Sequence, residues 1–139
     1  MKAEYFLDTN VLIYAATTKS REPLRNPRAL ELVERTAFGT SGQVLAEFYF
    51  NVVERARAPL SPRQALEWVE RIALQPCVSV DAALVKVAIA RSARYRISYW
   101  DGAIVAAAEM LDATTLYTED LNHGQMYGSV RVENPFLNI

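Results

Sequence analysis

Four acidic residues stand where the chain changes character: Asp8, Glu47, Asp101 and Asp120. Asp8 closes the apolar run Tyr5-Phe6-Leu7 and is followed by Thr9-Asn10, after which Val11-Leu12-Ile13-Tyr14 resumes at helical density. In open α/β sheets, ligands bind beyond the carboxyl ends of strands, so an acid in that position stands where a site is expected. Asp120 follows the strand-like Leu116-Tyr117-Thr118 by two residues. Asp101 opens a stretch in which Ile104, Val105, Ala108 and Leu111 recur at helical spacing, which projects its carboxylate along the core-facing stripe. Glu47 lies in a polar line with Gln43 and Asn51, on a helix that is otherwise apolar through Phe48-Tyr49-Phe50.

Each acid also has a plainer account. Asp8 suits a helix N-cap or an Asx-turn, and Glu47 a solvated helix face. Ser98-Tyr99-Trp100-Asp101 has the spacing of a capping box with Asp101 at its third helical position. Thr118-Glu119-Asp120 reads equally as a polar turn. Together they point further. Carboxylates gathered at one sheet edge raise one another's pKa unless a cation lies among them. With one histidine, His123, and one cysteine, Cys77, this chain alone cannot build a Cys/His zinc site. Oxygen ligands favour Mg²⁺ or Mn²⁺, and the natural chemistry of such a site is activation of water against a phosphodiester.

These acids need elements to position them. The pattern predicts strands over residues 4–8, 38–41, 77–80, 114–118 and 130–132, and helices over 11–17, 27–37, 43–57, 62–74, 82–95 and 99–111. Thr40 and Gln43 have capping-box spacing at the start of the third helix. Pro23 and Pro27 break a polar loop, and Pro59 and Pro62 separate two helices. Short strands alternating with helices give an α/β fold with a mainly parallel sheet. Its 139 residues favour one domain spanning 1–139, and 51% hydrophobic content supports a packed core.

Bulk properties exclude several classes. No apolar stretch reaches the ~20 residues of a membrane span. The first strand follows Met1-Lys2-Ala3-Glu4 directly, leaving no room for a signal peptide, and a single cysteine permits no internal disulfide. The expected setting is cytoplasmic. A net charge of −1 gives no global nucleic-acid signature, but Arg21, Arg25 and Arg28 cluster, as do Arg91, Arg94 and Arg96. Arginine forks suit phosphate, so the second cluster is a candidate phosphate contact. Solvated surface charge is the alternative.

Leu7-Asp8-Thr9-Asn10-Val11-Leu12-Ile13-Tyr14, then Ser41 with Glu47, Ser98-Tyr99-Trp100-Asp101 and Thr118-Glu119-Asp120-Leu121 resemble the PIN-domain ribonucleases, above all the VapC-type toxins of toxin–antitoxin pairs. The resemblance covers essentially the whole chain. It implies a three-layer domain with a short, mainly parallel sheet flanked by helices. It further implies that Asp8, Glu47, Asp101 and Asp120 surround one or two Mg²⁺ or Mn²⁺ ions, with Asn10, Ser41 and Thr118 orienting carboxylates or water. An RNA substrate, cleavage leaving a 5′-phosphate, a cognate antitoxin and a homodimer are also implied, with the apolar exteriors of helices 43–57 and 62–74 as a candidate interface. Gly102 departs from the alanine common in the family, which predicts a looser helix start. Two alternatives stand beside this reading. One is a catalytically silent PIN-like module that binds RNA or protein. The other is a haloacid-dehalogenase-like phosphatase, whose second aspartate would fall at Asn10 and whose lysine would be Lys86.

Overall fold

The computed structural model describes residues 1–55 and 57–139. Strands β1 (Tyr5–Leu7), β2 (Phe38–Ser41), β3 (Cys77–Val78), β4 (Thr115–Tyr117), β5 (Met126–Tyr127) and β6 (Val130–Glu133) form one sheet in the order β3-β2-β1-β4-β6-β5. All pairings are parallel except that of β5 with β6. Phe6, Leu7 and Leu116 in the two central strands are fully buried, as expected of a sheet covered on both faces. The order reverses between β1 and β4: β1 leads out toward β2 and β3 on one side, and β4 returns on the other. That makes their carboxyl ends the topological switch point of the sheet.

Six α-helices surround it among the described residues: α1 (Thr9–Ala16), α2 (Arg25–Arg35), α3 (Gly42–Tyr49), α4 (Pro62–Ile72), α5 (Ala82–Tyr95) and α6 (Tyr99–Met110). Helix α1 packs on both α2 and α3, α3 packs on α4, and α5 packs on α6. Three local devices depart from the sequence-based expectation. The third helix stops at Tyr49 and continues as a π-helical turn, Phe50–Glu54, so the predicted 43–57 helix is shorter; its penultimate residue, Ala56, lies outside the described residues. The predicted Thr40–Gln43 capping box does not form, because Ser41 is the N-cap and its hydroxyl accepts from the Val44 N–H. Strand β5 was not expected, since two residues carry no readable period; the predicted 77–80 strand covers only Cys77–Val78.

Gly102 has a packing reason. A Cβ there would fall 2.6 Å from the Ala88 carbonyl oxygen and 3.0 Å from the Ser92 nitrogen. Its absence lets α5 and α6 approach closely, so the glycine tightens the start of α6 against its neighbour rather than loosening it. Among the described residues, no helix is long and apolar enough to cross a membrane.

Candidate active site at the sheet switch point

Asp8 follows β1 and caps α1. Its Oδ1 accepts from the Thr9 N–H at 2.7 Å. Its Oδ2 accepts from the Thr118 hydroxyl at 2.8 Å, across 110 residues of sequence. Capping and site geometry are therefore compatible at Asp8. Thr118, fully buried past β4, also receives the Asp120 N–H at 3.1 Å and Asn10 Nδ2 at 3.1 Å. The same Nδ2 lies 3.2 Å from Asp120 Oδ2 and 3.5 Å from Asp8 Oδ2. One amide and one hydroxyl thus tie the acid after β1 to the acid after β4.

Glu47 enters from α3. Its Oε2 accepts from the Thr9 hydroxyl at 3.1 Å and its Oε1 from Gln43 Nε2 at 2.8 Å. Gln43 Nε2 also lies 3.2 Å from the Trp100 carbonyl oxygen, which links α3 to the first turn of α6. Asp101 stands in that turn, its N–H donated to the Ser98 hydroxyl at 3.1 Å. The backbone N–H groups of a helix start favour a carboxylate there.

Asp8 and Asp101 both feel the charges of Glu47 and Asp120. Asp8, 4% exposed, is pushed up to about 7, chiefly by burial and further by the charges of Asp120 and Glu47, against the pull of its Thr118 and Thr9 hydrogen bonds. Burial also raises Asp101, with Asp120 and Glu47 adding to it and Ser98 opposing. The groups touching these carboxylates are neutral donors: Thr9, Asn10, Gln43 and Thr118.

Among the described residues, no three acidic, histidine or cysteine side chains converge closely enough to hold a metal ion as they stand. Two observations nevertheless fit a hard cation. The donor set is oxygen throughout, which suits Mg²⁺ or Mn²⁺. Asn10 Oδ1 is buried without a hydrogen-bond partner, and an orphaned buried acceptor beside unbalanced carboxylates is the complement of a positive ligand. An open cavity of about 410 Å³ adjoins the cluster through Gln43 and Glu47, with Phe50, Tyr99 and Trp100 among its walls.

Other expected residues fall elsewhere. The Ser41 hydroxyl meets the Val44 N–H and caps α3 one turn before Glu47; among the described hydrogen bonds it reaches no carboxylate. Arg91 is bound in a fork to Glu109, at 2.6 and 3.2 Å, so its guanidinium is occupied within the fold. Arg94 lies 5.3 Å over the Tyr95 ring, and Arg96 closes α5 in the left-handed conformation. Sequence reasoning missed Thr9 as a partner of Glu47. The polar line through Gln43 and Glu47 was the only signal of the second contact. Nothing local signals the hydrogen bond from Tyr14 to Glu119 at 2.6 Å.

Solved structures share this fold. VapC20 of Mycobacterium tuberculosis, a sarcin–ricin loop cleaving toxin, is 20% identical, with 91% of this chain and 98% of that one covered at a TM-score of 0.68. FitAB bound to a DNA fragment is 21% identical, with 95% of each chain covered and a TM-score of 0.66. VapBC2 of Rickettsia felis, bound to promoter DNA, is 18% identical, covering 94% and 97% at 0.60. No curated protein matches the chain. The PIN domain pattern matches residues 5–128, nearly the whole length and all the acids placed above, and the chain belongs to the PIN domain family.

Proposed function

We propose that this protein is a divalent-metal-dependent endoribonuclease, the cytoplasmic toxin component of a type II toxin–antitoxin pair. One observation carries the reading: Thr9, Asn10 and Thr118 link Asp8, Glu47 and Asp120 at the sheet switch point, Asp101 feels the charges of Glu47 and Asp120, and the donors that touch these acids among the described residues are neutral. Uncompensated carboxylates cost stability, and a fold retains such a cost where a cation and a phosphate are to be handled. A Mg²⁺ or Mn²⁺ ion bound there would lower the pKa of a water and neutralise phosphate charge.

Asp8, Glu47 and Asp101 are the candidate ligands, and Asp120 joins them directly or through water. Thr118 and the Thr9 N–H hold the two oxygens of Asp8. Thr9 and Gln43 hold those of Glu47. Asn10 fixes the spacing between Asp8 and Asp120 and leaves its carbonyl oxygen free to orient a water. Of the three candidate arginines, Arg91 is engaged by Glu109, which leaves Arg94 and Arg96 as the candidates from that cluster for flanking phosphates.

The similar solved structures include a toxin that cleaves the sarcin–ricin loop, and VapBC2 and FitAB bound to DNA fragments, which supports RNA as substrate and an antitoxin as partner. A homodimer fits the exposed apolar residues Phe50 and Leu66 on the expected interface. The test is cleavage of RNA by the purified protein with Mn²⁺ and with EDTA, alongside Asp8→Asn. Metal-dependent cleavage lost in the variant is the expected result; unchanged cleavage by Asp8→Asn sinks the assignment.

The absence of three converged acids among the described residues favours one second reading, a catalytically silent PIN-like module that binds RNA or protein. Mn²⁺ binding without RNA cleavage would select it. Family membership leaves the haloacid-dehalogenase phosphatase without support.

A further inference from the structure

Helix α1 grips the turn after β4 at two places. Asn10 Nδ2 reaches Asp120 Oδ2 at 3.2 Å. One helical turn further on, the Tyr14 hydroxyl donates to Glu119 Oε1 at 2.6 Å. Positions four apart lie on one helix face, so the adjacent acids Glu119 and Asp120 are both held by one rigid element. The Tyr14 end is braced in turn. Its ring packs edge-on against Phe136 at 5.1 Å, the Arg25 guanidinium lies 5.5 Å from the ring centre, and Arg25 Nε is 3.8 Å from Glu119 Oε2. Burial and the bond to Glu119 keep the phenol protonated well above the usual tyrosine range.

Of these groups only Asn10 touches Asp8; Tyr14, Arg25 and Glu119 reach none of Asp8, Glu47 and Asp101 among the described hydrogen bonds, and capping explains none of their contacts. What they do is fix the backbone and the direction of residue 119, and through it the neighbour that completes the acid cluster. A ligand held by a turn must first be ordered, and a turn already ordered binds more tightly. We propose that Tyr14 and Glu119 are positioning residues whose hydrogen bond holds the turn after β4 so that Asp120 faces Asp8, strengthening divalent-cation binding at the cluster. This rests on the nuclease reading.

The test is Mn²⁺ binding to the RNA-free protein, followed by loss of the free-ion electron paramagnetic resonance signal. It compares wild type, Tyr14→Phe, Asp120→Asn and the double variant. Tyr14→Phe keeps the ring and removes one hydroxyl. It is expected to weaken Mn²⁺ binding about three- to tenfold and to cause no further loss in the Asp120→Asn background. Equal weakening in both backgrounds, or none in wild type, overturns the proposal, because a general structural role would not depend on Asp120.

If Tyr14→Phe fails to fold, Glu119→Gln and Glu119→Ala replace it. Both remove the charge and only the glutamine keeps an acceptor for Tyr14, so tighter Mn²⁺ binding by Glu119→Gln is expected and equal binding overturns the inference. Should wild type bind Mn²⁺ and cleave RNA without this coupling, only the positioning role falls. Should wild type neither bind Mn²⁺ nor cleave RNA, the nuclease reading falls and takes this inference with it.

Discussion

Two regions of the molecule concentrate charge, and they do so in opposite ways. At the contact of α5, α6 and the β5–β6 turn, Arg91 and Glu109 pair in a fork, Glu109 also receives the Ser129 N–H, and Tyr95 accepts from the Gly128 N–H at 2.7 Å. Opposite charges meet and the hydrogen-bonding groups find partners, which is how a partly buried ion pair serves structure. At the switch point, the donors that touch Asp8, Glu47 and Asp120 among the described residues are all neutral, Asp8 is buried with its pKa pushed up to about 7, and Asn10 Oδ1 is left over. The first region is electrostatically closed and the second is open. An open arrangement is costly to fold, and that cost is the physical reason to read it as a site.

The contrast can be tested from its strongest consequence downward. Asp8→Asn is expected to reduce metal-dependent RNA cleavage about a thousandfold or more, whereas Glu109→Gln leaves cleavage per folded molecule within about twofold, because the two regions are independent. Initial rates with Mn²⁺ measure both.

Stability against pH separates the regions next. The folded-state pKa of Asp8, about 7, lies above its ordinary value of 3.8. Between those values the folded state therefore binds more protons than the unfolded state, and stability falls as pH rises through the window. The metal-free protein should melt at lower temperature at pH 8 than near pH 5. Asp8→Asn should recover roughly 3–6 °C at pH 8 and little near pH 4. Thermal melts in EDTA decide this, and added Mn²⁺ should restore the wild type at pH 8.

At the closed region the sign reverses. Glu109→Gln leaves the Arg91 guanidinium without its counter-charge and should cost about 1–2 kcal/mol at neutral pH, discounted for the partial exposure of the pair. Two opposed effects make the net change smallest for Gly102→Ala. Helix propensity alone predicts a gain of up to ~1 kcal/mol, but the close approach to Ala88 predicts a larger penalty of roughly 1–3 kcal/mol. Net destabilisation in a denaturant melt is expected, and net stabilisation would show that α5 can move away at little cost.

Much of the architecture was legible because it depends on local signals. Apolar runs ending in Asp8 and Thr118 mark strand ends, Ser98 marks a helix start, and helical spacing marks α5 and α6. The three-layer arrangement and the adjacency of β1 and β4 follow from these together with the family likeness. What sequence could not show is pairing across distance. Thr9 meets Glu47 across 38 residues and Tyr14 meets Glu119 across 105, and no local pattern encodes either. Arg91 looked available to phosphate because its partner, Glu109, belongs to another helix. The π-helical turn at Phe50–Glu54 and the two-residue β5 are too short to leave a period. The candidate acids could therefore be picked out one at a time, but the hydrogen bonds that space them could not.

The central position of β1 carries a temporal consequence. Its two neighbours are β2, about thirty residues on, and β4, about 110 residues on, as the registers Tyr5↔Phe38 and Tyr5↔Thr115 show. During synthesis, which runs N-terminal first, Asp8 can join the early half of the sheet long before Thr118 and Asp120 exist to face it. Contacts so distant in sequence form late because the chain between them must first be ordered. The acid cluster is thus completed only when the fold is, and a nascent or truncated chain holds Asp8 without the partners that give it a purpose.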